Sequence, residues 1–137
     1  MADRNNWNRR MIEEFRANGG KVGGMWEGRP LLLLTTTGAK SGQRHTTPAM
    51  YLHDGDRLLI FATKAGAPTH PDWYYNLLAH PEVTVEIGNE IYEATATVLT
   101  GEERERLYAR QAELYPQFAE YQKRTTRTIP VIALEHS

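Results

Sequence analysis

Four short segments of the chain carry residues whose types and spacing could do chemistry. The first runs from Gly38 to Arg44 and combines two glycines and a serine with two cations, Lys40 and Arg44. Glycines let backbone amides turn towards an anion, and the two cations add positive charge. We therefore expect a phosphate or a carboxylate to bind here. The spacing is not that of a P-loop, and an ordinary solvated hairpin turn is the alternative.

The second and third segments lie further along the chain. Residues 62–68 (ATKAGAP) place a hydroxyl and a lysine among small residues, which permit the close approach of a flat ring. In residues 70–76 (HPDWYYN), Trp73 and Asn76 are three apart and share one face of a short predicted helix. The alternatives are an ordinary strand end for the second segment and a tryptophan of the core for the third.

The fourth segment is an aromatic series formed by Tyr108, Tyr115, Phe118 and Tyr121. The spacing of three predicts that the last three share one helical stripe. Such a stripe more often belongs to a core than to a pocket. Tyrosine nevertheless keeps a polar tip and favours boundaries between apolar surface and water.

The composition excludes several other chemistries. The absence of cysteine excludes disulfides, thiolate nucleophiles and cysteine-ligated metal centres, and it fits a cytoplasmic protein. The five histidines show no spacing typical of a metal site, and neither a dinucleotide fingerprint nor a nucleophile elbow is present. Sixteen basic residues against seventeen acidic ones give no general attraction for nucleic acid. Redox chemistry here would need an external carrier.

Hydrophobic periodicity predicts the elements that position these segments. We expect helices over residues 5–17, 71–79 and about 101–114, with a further helical stretch to about 123. Thr100 and Glu103 have the spacing of a capping box that opens the third helix. The predicted strands are 30–37, 46–53, 57–63, 83–87, 90–99 and 129–134. This order favours an α+β fold with a small, mostly antiparallel barrel and helices outside, in a single domain over residues 1–137.

Taken in order, four stretches of the sequence resemble the F-420-dependent nitroreductases of actinobacteria, also called deazaflavin-dependent nitroreductases. They are GRPLLLLTTTGAKSGQRHTTP, ATKAGAP, HPDWYYNLLAHPEVTVEIG and RTIPVIAL, which together span about residues 28–134. The resemblance implies a split β-barrel of the FMN-binding-like kind, shared with flavin oxidases of the pyridoxamine-phosphate type. It also implies that coenzyme F-420, an 8-hydroxy-5-deazaflavin, lies in a groove of that barrel.

The resemblance assigns roles to residues of all four segments. Those implied to meet the phosphate and glutamate tail of the coenzyme are Lys40, Ser41, Gly42 and Arg44, with Thr46 and Pro48 lining the groove. Those implied to contact the deazaflavin ring or its linker are Ala62, Thr63, Lys64 and Gly66, with Pro71, Trp73 and Asn76 on the far side. The family's aromatic series near the substrate fits Tyr115 and Tyr121, and our candidates to bind or protonate the substrate are Tyr115, Tyr121 and Thr63. Phe118 departs from the family pattern, in which a tyrosine can stand at this position.

The function implied is hydride transfer from reduced F-420 to a quinone, an enone or a nitro-substituted heterocycle. Two alternatives are an FMN-dependent oxidoreductase on the same fold and a non-catalytic protein that binds or stores F-420. We expect a cytoplasmic location and no metal. Residues 5–17 are interpreted as a mobile amphipathic helix at the pocket mouth. A helix docked on the barrel and weak peripheral contact with the inner face of the membrane are the alternatives for this segment.

Overall fold

The computed structural model describes residues 2–23 and 28–137, and for residues 2–7 it describes the backbone alone. Its six strands are Leu31–Thr37 (β1), Arg44–Asp54 (β2), Arg57–Phe61 (β3), Glu82–Ile87 (β4), Glu90–Leu99 (β5) and Val131–His136 (β6). Its α-helices are Ala2–Ala17 (α1), Asp72–Ala79 (α2), Gly101–Leu114 (α3) and Gln117–Lys123 (α4). A short 3-10 helix, Lys64–Gly66, follows β3.

The six strands form one closed antiparallel barrel in the order β1-β2-β3-β6-β5-β4. The hairpins β1–β2, β2–β3 and β4–β5 pair strands that are neighbours in the sequence. The last strand, β6, closes the barrel by pairing with both β3 and β5. The predicted barrel with helices packed outside is confirmed.

Strand β2 is paired unequally along its two edges. It pairs with β1 from Arg44 to Met50, but with β3 only from Tyr51 to Asp54. The stretch from Arg44 to Met50 therefore has a strand on one side and none on the other. Pro48, which has no backbone N–H to donate, lies in this stretch, in keeping with the preference of proline for sheet edges.

The apolar side chains form three clusters, one inside the barrel and two outside it. Leu32 and Leu34 of β1 point into the barrel, whereas Leu31 and Leu33 point outwards and pack under α1. The third cluster joins the outer face of β3 and β6 to α3 and α4. Because both faces of β1 are buried, its first four residues form a continuous apolar run instead of alternating.

Helix α1 is docked on the barrel. Phe15 and Met11 are 1% and 5% exposed, and they pack against the outer face of β1. Arg16 donates two hydrogen bonds to the carboxylate of Glu86 on β4, at 2.9 and 2.8 Å. The docked alternative accords with these contacts. The sequence predicts that Trp7, four residues before Met11, lies on the same face of the helix, but its side chain lies outside the described residues.

Several local predictions differ from the structure. Strand β3 ends at Phe61 and not at residue 63, and β6 spans Val131–His136 and not residues 129–134. Strand β2 begins at Arg44, two residues earlier than predicted, so that Arg44 and His45 belong to a strand and not to the preceding loop. The predicted capping box is wrong: Thr100 occupies the N-cap position of α3 but makes no side-chain capping bond. The carboxylate of Glu103 accepts instead from Arg57 at 2.7 Å, because the barrel brings a stronger donor within its reach. Among the described residues, no helix is long and apolar enough to cross a membrane.

The docking of α1 predicts that Phe15→Ala destabilises the protein. Removing a fully buried phenylalanine typically costs about 3–5 kcal/mol of unfolding free energy. The matched control is Glu13→Ala on the exposed side of the same helix, for which we expect a change of about 0.5 kcal/mol or less. Urea unfolding measures both. Equal effects of the two substitutions would show that α1 is not packed on the barrel as described.

Candidate functional site

A cavity of about 1730 Å³ lies along the half-paired stretch of β2. Residues from α1, the β1–β2 loop, β2, the segment after β3, α2 and α4 form its walls. His45 and Met50 both line it and are five strand residues apart, so the cavity extends over about 17 Å. Drug-sized ligands occupy pockets of about 300–1,000 Å³. This cavity is therefore large enough for an extended cofactor together with a second small molecule.

The loop of residues 38–43 forms one end of the cavity, where Lys40 and Ser41 are exposed lining residues. The amides of Gly38 and Gly42 are used inside the loop, since they donate to Gln43 and Gly38 carbonyl oxygens at 2.7 and 2.9 Å. The sequence suggested that the glycine amides would face an anion, but in the structure these two amides are bonded within the loop. Within the described chain, the loop amides without a hydrogen-bond partner are those of Lys40 and Ser41. An anion at this end would meet these two amides and the Lys40 ammonium group.

Asn76 fixes this loop to the barrel and to α2. Its Oδ1 accepts from the Ala39 amide at 3.0 Å, and its Nδ2 donates to Oγ1 of the buried Thr36 at 3.1 Å. Both polar ends of the side chain are therefore used within the protein. Trp73, one turn earlier on α2, lines the cavity and also packs against the interior cluster of the barrel. Trp73 therefore belongs partly to the core, and its role in binding stays a prediction.

Arg44 lies apart from Lys40. Its guanidinium donates to the hydroxyl oxygen of Thr37 at 2.9 Å and to that of Thr84, which in turn donates to Glu93. Arg44 lines a second, smaller pocket near the end of α2 and not the large cavity. The structure thus separates two cations that the sequence assigned to one anion site.

The structure brings together most of the other predicted site residues. Those that line the cavity are Lys40, Ser41, Pro48, Thr63, Lys64, Pro71, Trp73, Asn76 and Tyr121. Those that do not are Gly42, Arg44, Thr46, Ala62, Gly66 and Tyr115. The Thr46 hydroxyl is bonded to its cross-strand neighbour Thr35 at 2.7 Å, and Ala62 is fully buried inside the barrel.

The segment after β3 forms a side wall of the cavity in an unusual backbone conformation. Lys64 (φ 46°) and Ala65 (φ 54°) are left-handed although they are not glycines, which costs about 1–2 kcal/mol for each residue. Gly66 (φ 81°) follows, and a Cβ there would lie 2.7 Å from the carbonyl oxygen of Tyr121. Glycine is thus required at this position because the turn packs directly on the backbone of α4.

Aromatic residues and polar groups line the other end of the cavity. Phe118 is 5% exposed and makes edge contacts with the rings of Phe61 and Tyr121, at centroid distances of 5.7 and 5.4 Å. Tyr108 donates to the Phe118 carbonyl oxygen at 2.6 Å and thereby holds the start of α4. Burial raises the pKa of Tyr108 to about 12, so its hydroxyl stays protonated. The predicted stripe is interrupted, because α3 ends before Tyr115 and α4 starts two residues later.

Sequence reasoning missed several lining residues at this end. Asn8 from α1, Gln117 from α4 and Arg29 from the segment before β1 all line the cavity. The Arg29 guanidinium lies 5.9 Å from the centroid of the Tyr115 ring, so Tyr115 borders the site through this cation. Arg29 stands inside the GRP motif, but its neighbours there gave no sign of a binding role.

A sequence profile of the F420H(2)-dependent quinone reductase family matches residues 7–136. The chain belongs to this family. It is 39% identical to an F420H(2)-dependent quinone reductase of Mycobacterium tuberculosis. The 126 matched residues cover 88% of this chain and 83% of that protein.

Two solved structures are also similar. A structure of an F420-H2 dependent reductase is 44% identical with a TM-score of 0.71, over 78% of this chain and 95% of that one. A chain solved as a domain-swapped dimer is 40% identical with a TM-score of 0.73, over 96% and 98% of the two chains. The chain is therefore an oxidoreductase whose cofactor is coenzyme F-420. Family membership decides against the FMN-dependent and storage alternatives.

The separation of Lys40 from Arg44 predicts that Lys40 contributes to coenzyme binding and that Arg44 does not. We expect Lys40→Ala to raise the dissociation constant of the reductase for F-420 about ten-fold, since one charge-assisted contact is worth about 1.5–3 kcal/mol. Arg44→Ala and the exposed control Arg110→Ala should change it less than about two-fold. Fluorescence titration with F-420 at two salt concentrations measures this. Equal losses in the Lys40 and Arg44 variants would restore the single anion site predicted from the sequence.

His70, beside the cavity wall, predicts a pH dependence of stability. Its Nδ1 accepts from Arg127 at 3.0 Å, and its ring packs on Tyr74 at a centroid distance of 4.5 Å, with Tyr75 at 5.7 Å. Burial, and next the charge of Arg127, lower the pKa of His70. The unfolded chain therefore binds a proton before the folded protein does, and this stabilising contribution is lost as the pH falls below about 6.5.

The measurement is the unfolding free energy of the wild type and of His70→Asn between pH 7.5 and pH 5. We expect the wild type to lose more stability than the variant as the pH falls. Parallel pH profiles for the two proteins would contradict the assignment.

Proposed function

We propose that the cavity binds coenzyme F-420 and that the reductase transfers a hydride from the reduced coenzyme to a quinone within it. One observation carries the proposal. A single cavity has a cation and two unpartnered amides at one end and aromatic rings with hydroxyl groups at the other, where Met50 packs with Phe118 and Tyr121. One end suits an anionic tail, and the other suits a flat acceptor.

The lining residues fit the chemical parts of the coenzyme. The Lys40 ammonium and the amides of Lys40 and Ser41 suit the phosphate and the glutamate tail, which are anions. Trp73 and the apolar edge of β2 at Pro48 and Ala49 suit the flat ring. Lys64 donates to the Thr69 hydroxyl at 3.1 Å, so its charge is partly committed within the protein.

When bound, reduced F-420 supplies the hydride. The protein's own part is to hold the acceptor close and to meet the negative charge that develops on its oxygen. That charge needs a donor within about 2.6–3.2 Å. Tyr121, Thr63 and Arg29 are the candidates, since each lines the cavity and carries an N–H or O–H group. Arg29 can stabilise the charge but gives up no proton, whereas the two hydroxyls can also relay one.

The acceptor class rests on the family and on the site together. The relative from M. tuberculosis is described as a quinone reductase, and aromatic rings at this end of the cavity can stack on a quinone. Enones and nitro-substituted heterocycles also gain charge on an oxygen when they accept a hydride, so we include them as further acceptors. Phe118 offers no hydroxyl, and acceptors that require a donor at this point should react poorly.

Tyr121→Phe tests the proposal against a matched control, Tyr115→Phe. Each substitution removes one hydroxyl, but Tyr121 lines the cavity and Tyr115 does not. We expect Tyr121→Phe to lower kcat for a soluble quinone about ten-fold or more, with an unchanged dissociation constant for F-420. Tyr115→Phe should stay within about two-fold of wild type.

The assay follows oxidation of reduced F-420 against a panel of quinones, enones and nitroimidazoles. Wild-type protein that binds F-420 but oxidises it with none of these would contradict the proposed function. Equal kcat values for wild type and Tyr121→Phe would remove Tyr121 from the site without touching the rest of the proposal.

A further inference from the structure

The wall of the cavity that Thr63 and Lys64 form depends on an intrinsically disfavoured backbone. Three consecutive residues, Lys64, Ala65 and Gly66, are left-handed, with φ values of 46°, 54° and 81°. Only the last of them is a glycine, so the other two are strained. Strain of this kind persists only where the surroundings hold it in place.

The guanidinium of Arg127 contacts this segment at both of its ends. Its Nη2 donates to the Thr63 carbonyl oxygen at 2.7 Å, and its Nη1 donates to that of Ala62 at 3.1 Å. Its Nε donates to the Ala67 carbonyl oxygen at 2.9 Å, and its Nη1 also lies 3.0 Å from Nδ1 of His70. The planar fork of arginine can reach four acceptors on two sides of a turn, which the single ammonium group of lysine cannot match.

Arg127 is itself fixed by the helices behind it. Gln122 of α4 donates to the Arg127 carbonyl oxygen at 2.8 Å and accepts from the Ile129 amide at 3.0 Å. The same Gln122 oxygen accepts from Arg104 of α3 at 2.6 Å, and Arg104 also donates to the Ile129 carbonyl oxygen. The stretch that carries Arg127 is thus bonded to α3 and α4 before it reaches the wall.

The contacts of Arg127 are not those of a salt bridge. No ion pair among residues 8–23 and 28–137 includes Arg127, and its acceptors are backbone carbonyl oxygens and one imidazole nitrogen. Arg127 does not line the cavity either. Arg127 therefore stabilises the shape of the cavity wall and does not itself contact a ligand in the cavity.

We propose that Arg127 is a positioning residue for the coenzyme site, which holds the segment of residues 62–70, and with it the left-handed turn at Lys64–Gly66, so that Thr63 and Lys64 face the cavity. This inference rests on the proposed assignment of the cavity to F-420. Without the fork, the segment relaxes, and only a fraction of the molecules has the wall that binds. The apparent dissociation constant then rises by the inverse of that fraction.

The test compares Arg127→Met with Arg124→Met. Arg124 is the matched control because it makes one longer contact, 3.4 Å, with the carbonyl oxygen of Ala65 in the same segment. In the protein without coenzyme, we expect faster amide hydrogen exchange over residues 62–70 in Arg127→Met than in wild type or Arg124→Met. We also expect its dissociation constant for F-420 to rise about ten-fold or more, with Arg124→Met within about two-fold.

Ala65→Gly separates a conformational role from a simple structural or charge role. In the wild type the binding conformation already dominates, so relieving strain at Ala65 should leave the dissociation constant unchanged. In the Arg127→Met background the same substitution should restore affinity several-fold, because it favours the left-handed turn. Arg127→Lys should behave like Arg127→Met, since the charge is kept but the fork is lost. If Arg127→Met does not fold, Arg127→Lys with and without Ala65→Gly provides the same comparison.

Three outcomes would overturn the inference. The first is hydrogen exchange over residues 62–70 that is unchanged in Arg127→Met, and the second is wild-type affinity for F-420 in both Arg127→Met and Arg127→Lys. The third is full retention of that affinity in Arg127→Lys alone, with no rescue of Arg127→Met by Ala65→Gly. The last would show that the charge matters and the conformation does not. Failure of the proposed function is distinguishable, because wild-type protein would then bind no F-420 or Lys40→Ala would leave its affinity unchanged. The exchange measurement stands in either case, since it uses the protein alone.

Discussion

The unequal lengths of β2 and β3 determine where this protein can bind a ligand. Strand β2 has eleven residues and β3 has five, so their pairing stops at Tyr51 and Ile60. A barrel whose strands were all paired to the same length would bury this edge behind another strand. Here the edge of β2 from Arg44 to Met50 is left without a strand, and the cavity lies along it. The binding groove thus follows from a mismatch in the ladder.

An incomplete ladder has to be supported from outside the sheet, and side chains provide that support. Asn76 ties the β1–β2 loop to α2 and to the buried Thr36. Arg127 ties the segment after β3 to the stretch between α4 and β6. Arg127 bonds mainly to backbone carbonyl oxygens, and Asn76 bonds to one backbone amide and one side-chain hydroxyl, so both help to set the path of the chain. The two walls of the groove are held by tertiary hydrogen bonds where an ordinary barrel would use strand pairing.

The sequence predicted the elements and the barrel well because these depend on local pattern. The continuous apolar run at Leu31–Leu34, the hairpin turn at Gly55 and the helical spacing of Met11 and Phe15 are all visible without tertiary information. Three of the four stretches of the family resemblance also supplied most of the cavity lining, and RTIPVIAL supplied none of it. Local pattern was misleading where a distant group competes, as at Glu103, whose carboxylate bonds to Arg57 and not to its own helix.

Other parts of the site could not be predicted for the same reason. Arg44 follows the glycine loop directly, yet it turns to Thr37 and Thr84 because β2 starts two residues earlier than its pattern suggests. Arg29 and Asn8 reach the cavity only through the packing of α1 on the barrel. Arg127 acts across more than fifty residues of sequence, and nothing in the spacing of RTIPVIAL connects it to ATKAGAP.

The separate origins of the cavity walls have a consequence for how enzymes of this kind diversify. One end is built by the β1–β2 loop with α2, and the other by α1, α4 and the segment before β1. Apart from β2, which runs along the whole cavity, no element of the described residues lines both ends, so a change of sequence at one end can be inherited without disturbing the other. With the two ends assigned as proposed, a lineage can keep one hydride carrier while its acceptors vary, through substitutions at Asn8, Arg29, Gln117 and Phe118 that leave Lys40 and Asn76 unchanged.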